Sequence, residues 1–392
     1  FVFFLNDKTK TYLMIIFISL FSSLYIFEIG LTYSKNFLNK EQKLKEKIYK
    51  QKTGKIYDKR SKFKIYNDLK KVNKNIALSV PPLSYLFEGN LNKIEKNIFP
   101  LSGISNAETI HCNESGFYSI YQSDRYGFNN PNFEWDNKET EILLIGDSFT
   151  HGACVNRPND IASVLRKLTE SSVLNLGYSS SGPLIEFATL REYIPKKINN
   201  IVWIYFEGND LLDLQLELQS SLLKKNITNL NYSQKLTDKQ KEIDQVSKQL
   251  IINEKDYFLK NFLKLGNLRN FIKKYIFNKN TFIKTKIDEK KNISDFINII
   301  NLANELAKKN EAKFYFVYLP DTRRINKKYS NKNYNLIKNE INNLEIPFLD
   351  INKIVIKEEK SPLKLFPLGI INHYNDYGYN KIANSIYEMI YE

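Results

Sequence analysis

The sequence predicts an α/β fold in which about five parallel strands form one sheet covered on both faces by helices. Two observations carry that prediction. From residue 141 onward, short apolar runs alternate with helical stretches, and strands buried on both faces belong to parallel sheets. The run Ile142-Leu-Leu-Ile-Gly-Asp-Ser148 also reads as a buried strand ending in a sharp turn, which holds a small polar side chain at the sheet's lip. Ligands in open α/β sheets gather there, beyond the carboxyl ends of the strands.

The strand candidates are Glu141–Ile145, Ser172–Leu176, Ile201–Phe206, Lys313–Leu319 and Ile346–Leu349. The helix after Ser148 is interrupted at Asn156-Arg157-Pro158. It resumes with Ile161, Val164, Leu165 and Leu168 on one face, the spacing of a helix packed on a sheet. More than a hundred residues separate the third and fourth strands, far beyond what a simple crossover needs. Residues 211–291 are therefore read as a helical insertion overhanging the site, either as a lid or as a peripheral hairpin. Residues 293–309 form the crossover helix proper.

The chain before residue 141 is organised differently. Tyr12–Tyr33 is a membrane-like segment with one charge, Glu28, and its length reaches the roughly 20 residues that a span requires. No small-residue cleavage signal follows, so residues 1–33 are expected to be an uncleaved membrane anchor that meets the bilayer through residues 12–33. The chain begins at Phe1 and not at Met, so further sequence before it is expected. Residues 34–75 are Lys-rich and polar, a juxtamembrane linker. Residues 76–140 read as an irregular lead-in with short strands, one of them in Gly116–Tyr121. The domain proper spans residues 141–392.

Composition narrows the function. Hydrophobic residues fill 42% of the 392 positions, which is ample for a core. The net charge of +15 comes from lysines scattered among Asn and Ile, a pattern that predicts no nucleic-acid partner. Lysines on both sides of residues 12–33 leave the positive-inside rule a poor guide to orientation. Cys112 and Cys154 have no metal-ligand spacing. They flank the site region, and the expectation is a disulfide in an oxidising compartment, with two unpaired thiols as the alternative.

Ser148 is read as a nucleophile. A serine hydroxyl needs a base, and imidazole suits that task at neutral pH. Three histidines compete: His111, His151 and His373. His151, three residues past Ser148, lacks a good path to the hydroxyl and is expected to be structural. His111 lies in the lead-in. His373 sits on a loop just before the last helix, which Asn375 can cap, and is the expected base. Oxyanion donors are expected from Asn209, after the strand Ile201–Phe206, and from the loop Asn175–Pro183, around Ser180 to Gly182.

This combination resembles the SGNH (GDSL-like) hydrolases. Its blocks correspond to Gly146-Asp147-Ser148, the glycine loop ending at Gly182, Gly208-Asn209-Asp210, and His373. The resemblance implies a flavodoxin-like three-layer α/β/α domain, with Ser148 as nucleophile and His373 as base. It also implies an oxyanion hole of the Ser148 N–H, the Gly182 N–H and the Asn209 side chain. The lead-in Ser123–Pro131 resembles that of membrane-anchored bacterial members linked to surface polysaccharides.

Family members usually carry an Asp three residues before the histidine, where this chain has Ile370. The expected substitutes are Asp376 or Asp350, or a backbone carbonyl that leaves a dyad. The resulting expectation is a membrane-anchored serine esterase that removes acyl groups, acetyl first, from an extracytoplasmic glycan. Its place is the bacterial inner membrane, with the domain on the periplasmic side. The alternatives are an O-acyltransferase using the same residues, or a noncatalytic glycan-binding domain. An acylated carbohydrate is the expected partner; no cofactor and no metal are called for.

Overall fold

The structure is a computed structural model in which residues 6–37, 40–86, 98–275, 289–325, 329 and 331–392 are described. Parts of the expected anchor, linker, lead-in and insertion (1–5, 38–39, 87–97 and 276–288) lie outside them. In chain order, α1 (Asp7–Phe37), α2 (Lys40–Thr53) and α3 (Lys62–Lys70) precede β1 (Ile76–Leu78), β2 (Glu108–Ile110) and β3 (Ile120–Gln122). Next come β4 (Thr140–Gly146), α4 (Ser148–His151), α5 (Ile161–Thr169), β5 (Val173–Asn175), α6 (Pro183–Tyr193) and β6 (Ile198–Phe206). They lead to α7 (Asp210–Glu217), α8 (Ser221–Thr228), α9 (Gln240–Leu263), α10 (Gly266–Tyr275) and α11 (Glu289–Lys309). The chain closes with β7 (Lys313–Leu319), α12 (Tyr334–Asn343), β8 (Phe348–Asp350) and α13 (Asp376–Tyr391).

Two compact units result, Phe1–Lys47 with Ile252–Ile287, and Ile48–Ile251 with Asp288–Glu392. In the first, Asp7–Thr32 of α1 is the one helix among the described residues long and apolar enough to cross a membrane. Its Glu28 is buried because its carboxylate accepts the N–H groups of Asn267 (2.9 Å) and Leu268 (2.7 Å) at the start of α10. The first N–H groups of a helix have no partner within it, and a carboxylate there satisfies them and meets the positive end of the helix dipole. The Tyr25 hydroxyl donates to the Leu263 carbonyl at 2.8 Å, and the Phe27 ring packs edge-on against Phe271.

In the second unit all five strands of the main sheet are parallel, in the order β5-β4-β6-β7-β8. Numbered within the sheet this is 2-1-3-4-5, the flavodoxin-like order. Successive residues of each strand face opposite sides. Leu143, Ile145, Trp203, Tyr205, Phe314 and Phe316 pack with apolar side chains of α6, α11 and α12 on one side. Ile142, Leu144, Val202, Ile204 and Val317 pack with α5 and α13 on the other. The three layers follow directly from that alternation. β6 starts at Ile198, earlier than expected, because Ile198 and Asn200 extend the ladder with β4. The edge strand β8 is short and begins only at Phe348.

The lead-in belongs to the same core, since Ile76, Leu78, Ile110 and Phe128 join the cluster of Leu143. β1 pairs parallel with β2, and β2 antiparallel with β3. The segment Ser123–Pro131 is a polar clamp. Buried Asp124 accepts the N–H groups of Tyr126 and Phe128 and the side-chain donors of Asn130 and Trp135. Asn130 in turn bonds the backbone of Asn175 in β5 from both ends of its amide, and the Asn129 amide donates to the His151 carbonyl in α4. The expected insertion is divided. Leu214 of α7 and Leu223 of α8 are in the sheet's core, whereas Ile252–Ile287 fall in the unit of α1.

Candidate active site

β4 ends at Gly146 and Ser148 opens α4. A Cβ at Gly146 would lie 2.6 Å from the Ile204 carbonyl oxygen of β6, so only glycine lets the chain turn there. A Cβ at Gly177 would lie 2.8 Å from the His151 backbone nitrogen, so the loop after β5 can approach α4 only because residue 177 has none. Asp147 caps α4 by accepting the Phe149 N–H at 2.9 Å. β4 lies between β5 and β6, where the direction of winding reverses, so Ser148 stands at the sheet's switch point.

His373 reaches Ser148 from the loop before α13. Its Nε2 lies 2.9 Å from Ser148 Oγ. Its Nδ1 lies 2.8 Å from Glu114 Oε1, and its backbone N–H donates to Glu114 Oε2 at 3.1 Å. An ionised carboxylate can only accept, so the Nδ1 facing it carries the proton and leaves Nε2 bare toward the serine hydroxyl. Asn375 fixes the loop: it accepts the Gly378 N–H at the start of α13 and donates to the carbonyls of Lys364 and Phe366. The His373 side chain is 25% exposed. Burial opposes its protonation, but the hydrogen bond and charge of Glu114, with the charge of Asp147, outweigh that and raise its pKa above 6.5.

The expected orienting acids are elsewhere. Asp376 accepts from the Asn159 amide at 2.9 Å, and Asp350 is held by the Tyr334 hydroxyl at 2.5 Å and the Lys353 N–H. Their carboxylates are thus engaged away from His373, and Glu114 stands at its Nδ1. Glu114 belongs to a hairpin after β2, closed by His111 N–H to the Ser119 carbonyl (2.9 Å) and Ser119 N–H to the Cys112 carbonyl (2.8 Å). Cys112 is disulfide-bonded to Cys154, six residues after Ser148. The Cys112–Cys154 pairing was the one sequence signal that could have brought Glu114 to the site.

The other two histidines bind a single serine. Ser179 Oγ lies 2.7 Å from His111 Nε2 and 3.2 Å from His151 Nδ1, and the Ser179 N–H donates to that same Nδ1. His151 Nε2 lies 2.9 Å from the Tyr121 hydroxyl. Burial lowers the pKa of both, His151 to about 3, with the charges of Lys62 and His373 adding to the effect. They stay neutral and anchor the loop after β5, and neither meets Ser148.

On the oxyanion side the residues divide. The Gly182 N–H donates to Glu217 Oε1 at 2.5 Å; Glu217 also accepts from Leu184 and Ile185, capping α6. Gly182 therefore has no donor to spare, contrary to the expectation. Ser180, two residues earlier, has the glycine-like φ of 56°, and its N–H donates to no group among the described residues. Asn209 precedes α7 and gives one Nδ2 hydrogen to Asp213 at 2.6 Å. An amide nitrogen carries two, and the second remains.

Asp147, Glu186, Asp210, Asp213 and Glu217 place five carboxyl groups close to one another around the switch point. Burial raises the pKa of each, Asp147 and Asp213 to about 6 and Glu217 to about 8, and neighbouring carboxylates add to the rise for all but Asp213. The only trio of metal-capable side chains among the described residues is Glu114, Cys154 and His373, and there the sulfur is committed to the disulfide.

No family model matches the chain, and no curated protein matches it. Among solved structures, it is similar to one from Desulfitobacterium hafniense DCB-2, provisionally named a lipolytic protein of the G-D-S-L family. The identity is 15%, covering 64% of this chain and 99% of the other, with a TM-score of 0.36.

Proposed function

We propose that the chain is a serine ester hydrolase of the SGNH type working through Ser148, His373 and Glu114. The observation that carries this reading is the unbroken hydrogen-bond chain from Ser148 Oγ through the His373 ring to the Glu114 carboxylate. Ser148 Oγ attacks the ester carbonyl carbon while its proton passes to His373 Nε2, and Glu114 stabilises the imidazolium that forms. The developing oxyanion is met by the free Nδ2 hydrogen of Asn209 and by the Ser180 N–H in place of Gly182. Collapse expels the alcohol, protonated by His373, and water then releases the acid from the acyl-serine by the same route in reverse.

The substrate we propose is an acyl ester, acetyl in the first instance, on an extracytoplasmic glycan. What supports it is the lead-in resemblance at Ser123–Pro131, an apolar α1 fit to anchor the chain in a bilayer, and a disulfide, which persists in oxidising compartments. With the domain on the periplasmic side of the bacterial inner membrane, all three features agree. A complete base and acid around Ser148 favours turnover over a purely binding role.

The test is hydrolysis of a small chromogenic acetyl ester by the detergent-purified chain, with Ser148→Ala and His373→Ala beside it. Both variants are expected to lose activity by several orders of magnitude, and a serine-reactive fluorophosphonate is expected to label Ser148 in the unaltered chain. No hydrolysis and no labelling would sink the reading.

A further inference from the structure

Glu114 reaches His373 from a hairpin tip, and the described hydrogen bonds of its carboxylate all go to His373. The tip is also held by Asp58, whose N–H donates to the Gly116 carbonyl. The turn is shaped from inside by Asn113, which accepts the Gly116 N–H and donates to the Asp58 carbonyl. The covalent tie to the serine's own segment is the Cys112–Cys154 bridge, joining the residue two before Glu114 to the residue six after Ser148. Cys154 Sγ also lies within 4.8 Å of both a Glu114 carboxylate oxygen and a His373 ring nitrogen. The bridge is thus packed beside the acid–base pair and not at a remote edge of the fold.

We infer that the Cys112–Cys154 disulfide is the positioning device that keeps Glu114 on His373, so that catalysis depends on this pair being oxidised. The inference rests on the hydrolase reading above. Noncovalent ties between the hairpin region and the segment after Ser148 do exist: Ile120 N–H to Asn156 Oδ1 and Arg157 to the Gln122 carbonyl. They act at β3, on the far side of the hairpin from Glu114; the tip's own backbone ties, Asp58 N–H to the Gly116 carbonyl and Asn113 to the Asp58 carbonyl, run to the segment before β1 and not to the segment that carries Ser148. Cys112 is partly exposed whereas Cys154 is buried, so a reductant meets the Cys112 sulfur first. With a water-soluble trialkylphosphine the step is balanced. The S–S bond breaks, phosphorus takes up the oxygen of one water as phosphine oxide, and the two sulfurs each keep an electron pair and gain a proton.

The experiment compares the detergent-purified full chain before and after phosphine reduction and anaerobic desalting, using the acetyl ester assay across pH. Glu114→Gln is treated the same way, and far-UV circular dichroism is recorded on every sample. Reduction is expected to lower kcat by about the factor that Glu114→Gln does, on the order of 10²-fold or more, and to move the rising limb of the pH profile to lower pH. Reduction of the Glu114→Gln chain is expected to change neither, because the group that the bridge positions is already gone. A purely structural bridge would lower both chains alike or cost circular dichroism signal, and either result overturns the inference. Ser148-dependent hydrolysis untouched by reduction overturns it alone. Absence of Ser148-dependent hydrolysis in the oxidised chain removes the hydrolase reading and this inference together.

Discussion

Glu114 Oε1 lies 2.8 Å from His373 Nδ1 although 259 residues of chain separate the two. No acid stands three residues before the histidine, where this chain has Ile370. The carboxylate comes instead from the opposite end of the domain, outside the doubly wound sheet altogether. A glutamate on a separate hairpin also holds the His373 backbone N–H, so one carboxylate sets both the ring's tautomer and the loop's position.

The first prediction follows from that double role. Glu114→Gln keeps the shape but removes the charge, and an amide can present its NH₂ to Nδ1 and favour the wrong tautomer. A loss of kcat on the order of 10²- to 10⁴-fold is expected. Glu114 raises the pKa of His373 against the effect of burial, so its removal lowers that pKa. A base must be neutral to act, and the rising limb of kcat against pH is therefore expected to shift toward acid. An unmoved limb would show that Glu114 is not coupled to the base.

How far the sequence discloses this site depends on what places each residue. Ser148 and Asn209 stand immediately after strands β4 and β6, so local patterning reveals them. His373 emerges because there are three histidines and one lies before a cappable helix. Glu114 does not, because the expected Cys112–Cys154 pairing brings its hairpin toward Ser148 without indicating which side chain of that hairpin meets His373. The same distinction explains Gly182. Its N–H looks free in sequence, but Glu217, 35 residues on, caps α6 there. In the fold, the apolar strand runs are legible, while the division of residues 211–291 between two units is not, since it depends on Glu28 in α1 meeting the start of α10.

Asn209 gives a second prediction. Asn209→Ala removes the side-chain donor proposed for the developing oxyanion, and kcat for the acetyl ester is expected to fall roughly 10²- to 10³-fold with little change in KM. Asp213→Asn separates the two roles of the amide. It keeps Asn209 in place through a neutral partner and is expected to cost far less. Equal losses in the two variants would mean that Asn209 acts only by anchoring α7.

Glu28 gives a third prediction, confined to the unit of α1. Glu28→Ala leaves the Asn267 and Leu268 N–H groups without their acceptor. Loss of such a cap costs about 0.5–2 kcal/mol. Hydrogen exchange at the start of α10, followed by mass spectrometry in detergent, is expected to quicken by roughly the 2- to 30-fold that this energy implies. Unchanged exchange there would show that the carboxylate contributes nothing to holding α10.

The carboxyl groups around the switch point give a prediction about stability and pH. Glu186 is 2% exposed and neither of its oxygens has a hydrogen-bond partner among the described residues. Burial raises its pKa well above the ordinary glutamate range, and repulsion from Asp210, Asp147, Glu217 and Asp213 adds to the rise. A carboxyl whose pKa is higher folded than unfolded binds more protons in the folded state. Its favourable contribution is complete at acid pH and is lost as pH rises above the unfolded value of about 4.3, at about 1.4 kcal/mol per pH unit. The thermal midpoint of the protein is therefore expected to fall between pH 5 and pH 8. Asp147, Asp213 and Glu217 contribute to that slope with the same sign. Glu186→Gln preserves volume and cannot ionise. Its midpoint is expected to exceed that of the unaltered protein at pH 8 and to meet it near pH 4.5. If thermal unfolding of the two proteins ran parallel across that range, Glu186 would not be titrating, and its two bare oxygens would need a partner other than a proton.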